Sequence, residues 1–284
     1  MMGCMTEPHA DPPATRSSRL AALRRVRRWA PVIGADTLPA LDAPDLVVVD
    51  GLPDAGGDAT DARARLAAAR ASGALVIAYL SVGTVEGWRA YASEVPPAWT
   101  LGDLPDWEDE RVVDARCDGW RRLMAREARG LRELGFDGLF LDNLDVAEDH
   151  PHTQDAMVAL VAGIRAAASD LLLVAQNGLA TIDRLPVDAV SHEDTWWRWQ
   201  DRRYGPSPPG ETAAILARLR RQRARGRVVL TLDYTAPGDP AAAAIVRRSR
   251  AEGFVPAVSV LALDRAPHSP VSERDEAPPA ALGR

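Results

Sequence analysis

Eight short apolar runs, separated by helical or loop stretches, predict an α/β fold: a single (β/α)8 TIM barrel with disordered N- and C-terminal tails. The runs are nearly continuous apolar blocks rather than alternating ones, a pattern that suits strands buried on both faces of a parallel sheet. The 284 residues, 46% hydrophobic and 26% charged, are globular in composition and long enough for one barrel of about 250 residues. A doubly wound open sheet is the rival, but no G-x-G-x-x-G turn follows the first strand.

Residues 1–18 are polar and Pro-rich and read as a disordered leader, and residues 266–284, rich in Pro, Ser and Ala, read as a tail. The barrel is then expected over residues 19–265. Its strands are expected at Trp29–Ile33, Asp45–Asp50, Ala74–Leu80, Phe136–Asp142, Leu171–Gln176, Val187–Glu193, Arg227–Asp233 and Phe254–Val260. Between them, a helix over Asp61–Ala71 stops at Gly73. Another over Gly119–Leu134 carries Leu123, Ala128, Leu131 and Leu134 at helical spacing and ends at Gly135. Thr153–Ala168, Glu211–Arg225 and Pro240–Glu252 repeat the form. The arginines of Arg218–Arg227 read as the solvated outer face of a barrel helix rather than an anion patch.

Composition excludes several classes. No apolar run reaches the roughly 18 residues of a membrane-spanning helix. Cys4 and Cys117 form neither a disulfide framework nor a C-x-x-C pair. A net charge of −6 argues against nucleic acid as a partner. All 34 basic residues are Arg, so Schiff-base and P-loop lysine chemistry are absent. Without an apolar h-region in the leader, the chain as written reads as cytoplasmic. Gly3-Cys4 ahead of a polar linker would suit a lipid-anchored or exported form if the start codon lay upstream.

In a parallel barrel, function sits at the carboxyl ends of the strands. Acids or amides recur there: Asp50 on the second strand, Asp142-Asn143-Leu144-Asp145 on the fourth, Gln176-Asn177 on the fifth, His192-Glu193-Asp194 on the sixth and Asp233-Tyr234 on the seventh. One such residue could be a helix N-cap, but five on one rim suggest a site. Aromatics share these loops: Tyr79, then Trp88, Trp99 and Trp107, then Trp196, Trp197 and Trp199. Trp29 and Trp120 read as core. Three indoles in four residues cannot all bury in one direction, and flat aromatics beside acids suit a sugar, whose C–H face stacks while its hydroxyls donate.

Paired carboxyls suit glycoside cleavage, in which one acid protonates the leaving oxygen and the other attacks or activates water. Asp142 and Glu193 would face each other with one strand between them, a spacing compatible with the roughly 5–5.5 Å of a retaining pair. Asp142, in a polar loop, is expected to keep a low pKa and act as nucleophile. Glu193, expected among Trp side chains, would have the raised pKa of a proton donor. Asp194 is a rival for that role.

These residues also carry a family resemblance. Gly135-Phe-Asp-Gly-Leu-Phe-Leu-Asp-Asn-Leu-Asp145 resembles the fourth-strand signature of glycoside hydrolase family 114, the endo-α-1,4-polygalactosaminidase-like barrels. Val76-Ile-Ala-Tyr-Leu-Ser-Val-Gly83, followed by Glu86 and Arg89, is similar to its third strand and loop. Gln176-Asn177-Gly178 and Leu232-Asp233-Tyr234 match in kind and order, so the likeness spans about residues 27–262. The resemblance implies a hydrolase of α-1,4-linked galactosamine or N-acetylgalactosamine polysaccharide and no cofactor, and no H-E-x-x-H spacing points to a metal. It implies Asp142 as nucleophile and Glu193 as acid/base. Asp50, Tyr79, Asp145, Asn177, Trp196, Asp233 and Tyr234 would bind the sugar. The rivals are a non-catalytic carbohydrate-binding barrel and a metal-dependent hydrolase built on Asp50, Asp142, His192 and Asp233. His192 reads as a partner of Glu193 rather than a ligand, and Asp137, at the start of its strand, as barrel-bottom structure.

Overall fold

A Val-, Leu- and Ala-rich segment without a polar face can pair its backbone and bury both sides inside a helix-covered parallel sheet, and that is where these runs lie. The computed structural model describes residues 15–35, 37–57, 59–105 and 107–268. Gly3-Cys4 and the tail from residue 269 lie outside the described residues.

The chain opens with α1 (Arg16–Leu23), β1 (Trp29–Pro31), β2 (Leu46–Asp50), α2 (Ala59–Arg70) and β3 (Leu75–Ser81). An excursion follows, with β4 (Thr84–Glu86), β5 (Thr100–Asp103) and β6 (Glu110–Val113). Next come α3 (Asp118–Leu134), β7 (Gly138–Asp142), α4 (Val146–Asp149), α5 (Gln154–Ala167), β8 (Leu172–Gln176) and β9 (Ala189–Glu193). A hairpin, β10 (Trp197–Gln200) and β11 (Arg203–Pro206), precedes α6 (Pro209–Ala224), β12 (Val228–Tyr234), α7 (Ala241–Ala251) and β13 (Val255–Ser259).

The expected strands are all present as one eight-stranded sheet in the order β1-β2-β3-β7-β8-β9-β12-β13, with parallel neighbours throughout. The barrel is nearly closed, and at the seam the Trp29 indole on β1 donates to the Val255 carbonyl on β13 at 3.1 Å. Leu46, Val48, Ile77, Phe140, Leu172, Val174 and Leu230 fill the interior. The opposite faces, with Val47, Val76, Leu139, Leu141 and Val190, pack on Trp120, Met124, Leu160, Ile164, Leu219 and Ile245 of the helices. Each such buried side chain contributes about 1.5–3 kcal/mol through removal from water.

The structure departs from the expected elements in three places. Helical order begins inside the expected leader: Thr15 caps α1 by accepting from the Ser18 amide, and Leu23 and Val26 close the barrel floor. Arg19 pins this helix, donating to Asp137 at 3.2 Å and to the Asp170 carbonyl at 3.0 Å. Second, among the described residues no α-helix separates β1 from β2 or β8 from β9. Third, the segment after β3 folds into a three-stranded antiparallel sheet, order β4-β6-β5, beside the mouth. Among the described residues no helix is long and apolar enough to cross a membrane.

Candidate active site

Three neighbouring strands end alike. The residue after Asp142 is Asn143 (φ 59°), after Gln176 is Asn177 (φ 56°), and after Glu193 is Asp194 (φ 57°). Asn and Asp tolerate this left-handed conformation better than other side chains, because their short polar groups bond locally. The turn leaves Asp142, Gln176 and Glu193 as the last strand residues, and all three line one cavity of about 370 Å³ at the carboxyl ends of the strands. Asp50, Tyr79 and Tyr234 line it as well.

Glu193 is held at both oxygens. Asn177 Nδ2 donates to Oε1 and the Tyr234 hydroxyl to Oε2, each at 2.6 Å, while the Glu193 amide donates to Asn177 Oδ1 at 3.1 Å. The Tyr79 hydroxyl and the Asn143 amide favour the charged form of Asp142. Its carboxyl is nevertheless pushed well above the ordinary range, first by burial and then by the charges of Glu193 and Asp145. The two acids therefore sense each other across the cavity. Their surroundings are not those expected: Glu193 sits among hydroxyl and amide donors rather than indoles, and Asp142 is the desolvated member.

The excursion supplies the far wall with Glu86, Trp88, Arg89, Trp107 and Glu110. Arg89, 2% exposed, grips Glu86 at 2.5 and 3.1 Å and Asp50 at 2.6 Å, and its guanidinium lies 5.9 Å from the Tyr79 ring centre. Burial still pushes the Glu86 carboxyl up to about 6. Thr84 donates to Glu110 at 2.9 Å, and Asn143 Nδ2 donates to Ser81 and Thr84 at 2.9 and 3.1 Å, tying the end of β7 to this wall. Gly83 is required here, since a Cβ would lie 1.8 Å from the Asn143 carbonyl oxygen.

Of the residues singled out from sequence, Asp50, Tyr79, Asp142, Glu193 and Tyr234 converge on the cavity, with Asn177 directly behind Glu193. Asp145 is not in the lining but lies near enough that Glu193, after burial, helps push its carboxyl up to about 7. Trp196 and Asp233 lie elsewhere. The Trp196 indole is buried, donates to Ser249 at 2.7 Å and stacks under Arg248 at 4.4 Å. Fully buried Asp233 accepts the Trp196 and Trp197 amides at 2.6 and 2.8 Å and so anchors the root of the β10–β11 hairpin. The rival Asp194 is the turn residue and does not line the cavity. The four residues of the metal-hydrolase reading are also not gathered: His192 bonds the Glu193 carbonyl at 2.5 Å, and neither it nor Asp233 faces the cavity. Glu110 was missed in sequence because it sits on a four-residue strand that no periodicity marks. Glu86 and Arg89 stood out only through the family likeness.

The family model of glycoside hydrolase family GH114 matches residues 10–273. The chain belongs to family GH114. An uncharacterized protein of Deinococcus radiodurans is 29% identical over 92% of this chain and 89% of its own length. The uncharacterized protein MJ1477 of Methanocaldococcus jannaschii is 22% identical over 75% of this chain and 69% of its own. Among solved structures, the glycoside hydrolase domain of PelA from Pseudomonas aeruginosa superposes with a TM-score of 0.72 at 25% identity, covering 87% of this chain and all (100%) of that one. Ega3 of Aspergillus fumigatus, solved in complex with galactosamine, shares the fold with a TM-score of 0.66 at 16% identity, over 94% of this chain and 100% of that one. This GH114 chain is thus a glycosidase of the TIM-barrel class.

Proposed function

We propose that this GH114 chain hydrolyses an α-1,4-linked galactosamine or N-acetylgalactosamine polysaccharide with retention, Asp142 acting as nucleophile and Glu193 as acid/base. The observation that carries the reading is the joint exposure of Asp142 and Glu193 to one cavity whose other wall is acidic. Cleavage needs one carboxyl charged and the other protonated, and two acids that resist carrying two charges together supply that state. Tyr79 and the Asn143 amide favour the carboxylate of Asp142, and an ammonium group entering the cavity lowers its pKa further. Glu193, oriented by Asn177 and Tyr234, then gives its proton to the leaving oxygen and takes one from water in the second step. The galactosamine in the Ega3 structure and the acids Asp50, Glu86 and Glu110 here support an aminosugar substrate.

The test is release of reducing ends from partly deacetylated α-1,4-galactosaminan. Asp142→Asn and Glu193→Gln should each lower turnover roughly 10²–10⁴-fold while oligosaccharide binding persists. Azide added to the Glu193 variant should give a product of retained configuration. Binding without release by the unaltered protein would favour a carbohydrate-binding barrel instead.

A further inference from the structure

We propose that a second groove next to the catalytic cavity is a distal subsite that stacks uncharged, N-acetylated pyranose units of the same polymer. The inference rests on the glycosidase reading above and deepens it. The large hydrophobic side chains exposed among the described residues are three tryptophans, Trp88 at 41%, Trp107 at 51% and Trp199 at 36%. Isolated exposed apolar residues are ordinary, but three indoles gathered around one mouth are not. Trp88 and Trp107 edge the catalytic cavity, and Trp107 and Trp199 wall a neighbouring groove of about 420 Å³. Trp107, Leu261 and Ala262 belong to both, so the two spaces run into one another.

The groove is built on a braced element. In the β10–β11 hairpin Trp199 pairs with Tyr204, and their rings lie 4.6 Å apart at 60°. The Leu261 amide donates to the Tyr204 hydroxyl at 3.4 Å, joining the hairpin to the segment after β13. Asp233 clamps the other end through the Trp196 and Trp197 amides. An indole and a phenol held this way present flat faces with little ordering cost on binding, which suits the C–H face of a pyranose.

Charge separates the two spaces. The catalytic cavity carries Asp50, Asp54, Glu86, Glu110, Asp142 and Glu193 with Arg65 and Arg89, whereas the second groove has no carboxylate in its lining and its Arg265 is already paired with Asp264. Without a lining carboxylate to receive an ammonium group, the groove favours a neutral sugar. The enzyme then reads a chain of mixed acetylation, with a free amine near the cleavage point and acetylated units beyond it.

The experiment measures binding of a defined trimer carrying a free amine, and of an octamer that extends it with N-acetylated units, to the Glu193→Gln protein, with and without Trp199→Ala or Trp199→Phe. Trp199→Ala should lower the octamer-to-trimer affinity ratio roughly 5- to 10-fold, and Trp199→Phe should restore most of it. In the active enzyme Trp199→Ala should raise KM for long polymer with little change in kcat. An unmoved ratio in a folded Trp199→Ala protein overturns the subsite while leaving the glycosidase reading intact. Failure of the unaltered protein to bind or cut either oligomer overturns both.

Discussion

Asp145 and Asp194 both hold their protons unusually tightly, and each does so for a reason that a single substitution removes. The charge of Asp145 helps to push Asp142 up, so Asp145→Asn should move the acid limb of the kcat/KM profile to lower pH, measured on a soluble oligomer. Asp194 is pushed up to about 8 by burial and by Glu193 and Asp233, and its Oδ1 has no partner. Because its folded pKa exceeds the ordinary 3.8, its contribution to stability is whole below about pH 4 and is lost as the pH climbs through about 8. Asn keeps the left-handed turn and carries no charge. Denaturant unfolding should therefore show Asp194→Asn gaining stability over the native protein at pH 9, on the order of a few kcal/mol, and little of that gain at pH 4.

At the scale of elements, α1 behaves as a floor bolted on by two side chains, Arg16 and Arg19. Arg19→Ala removes the partner of Asp137 and of the Asp170 carbonyl, and should cost about 1–3 kcal/mol in unfolding free energy, measured by urea titration. The barrel strands were legible in sequence because burial on both faces leaves no polar position to blur the pattern, as in Leu172–Gln176. Helix α1 was not, because its arginines and serines hide a short apolar stripe in a polar leader. The same limit applied to the site. Asp142, Glu193, Tyr79 and Tyr234 were readable because regular strands deliver their end residues to the mouth. Trp196 was misplaced because the chain between β9 and β10 turns irregularly, and there no period tells inside from outside. Asp233 was misplaced because it alternates along regular β12 with the inward Leu232 and Tyr234 and so faces the other side. The excursion stayed hidden because its strands run only three or four residues, too short to show a period.

Taken as a whole, the molecule concentrates acid at one opening. Asp50, Glu86, Glu110, Asp142 and Glu193 surround a cavity in which Arg89 is already committed to Glu86 and Asp50. Deacetylated oligomers should bind more tightly than fully acetylated ones at low ionic strength, and the gap should narrow as salt is raised from about 0.01 to 1 M. Titration calorimetry on matched oligomers checks this, and equal affinities at low salt would contradict it. The floor is built differently. Arg16 and Arg19 attach α1 to Asp188, Asp137 and Asp170, beside the first residues of β9, β7 and β8. Thr15 thus stands on the side of the barrel away from the opening. A bead, an electrode or a bilayer coupled to the chain ahead of Thr15 would leave the cleft pointing outward, ready to work on material it meets from above.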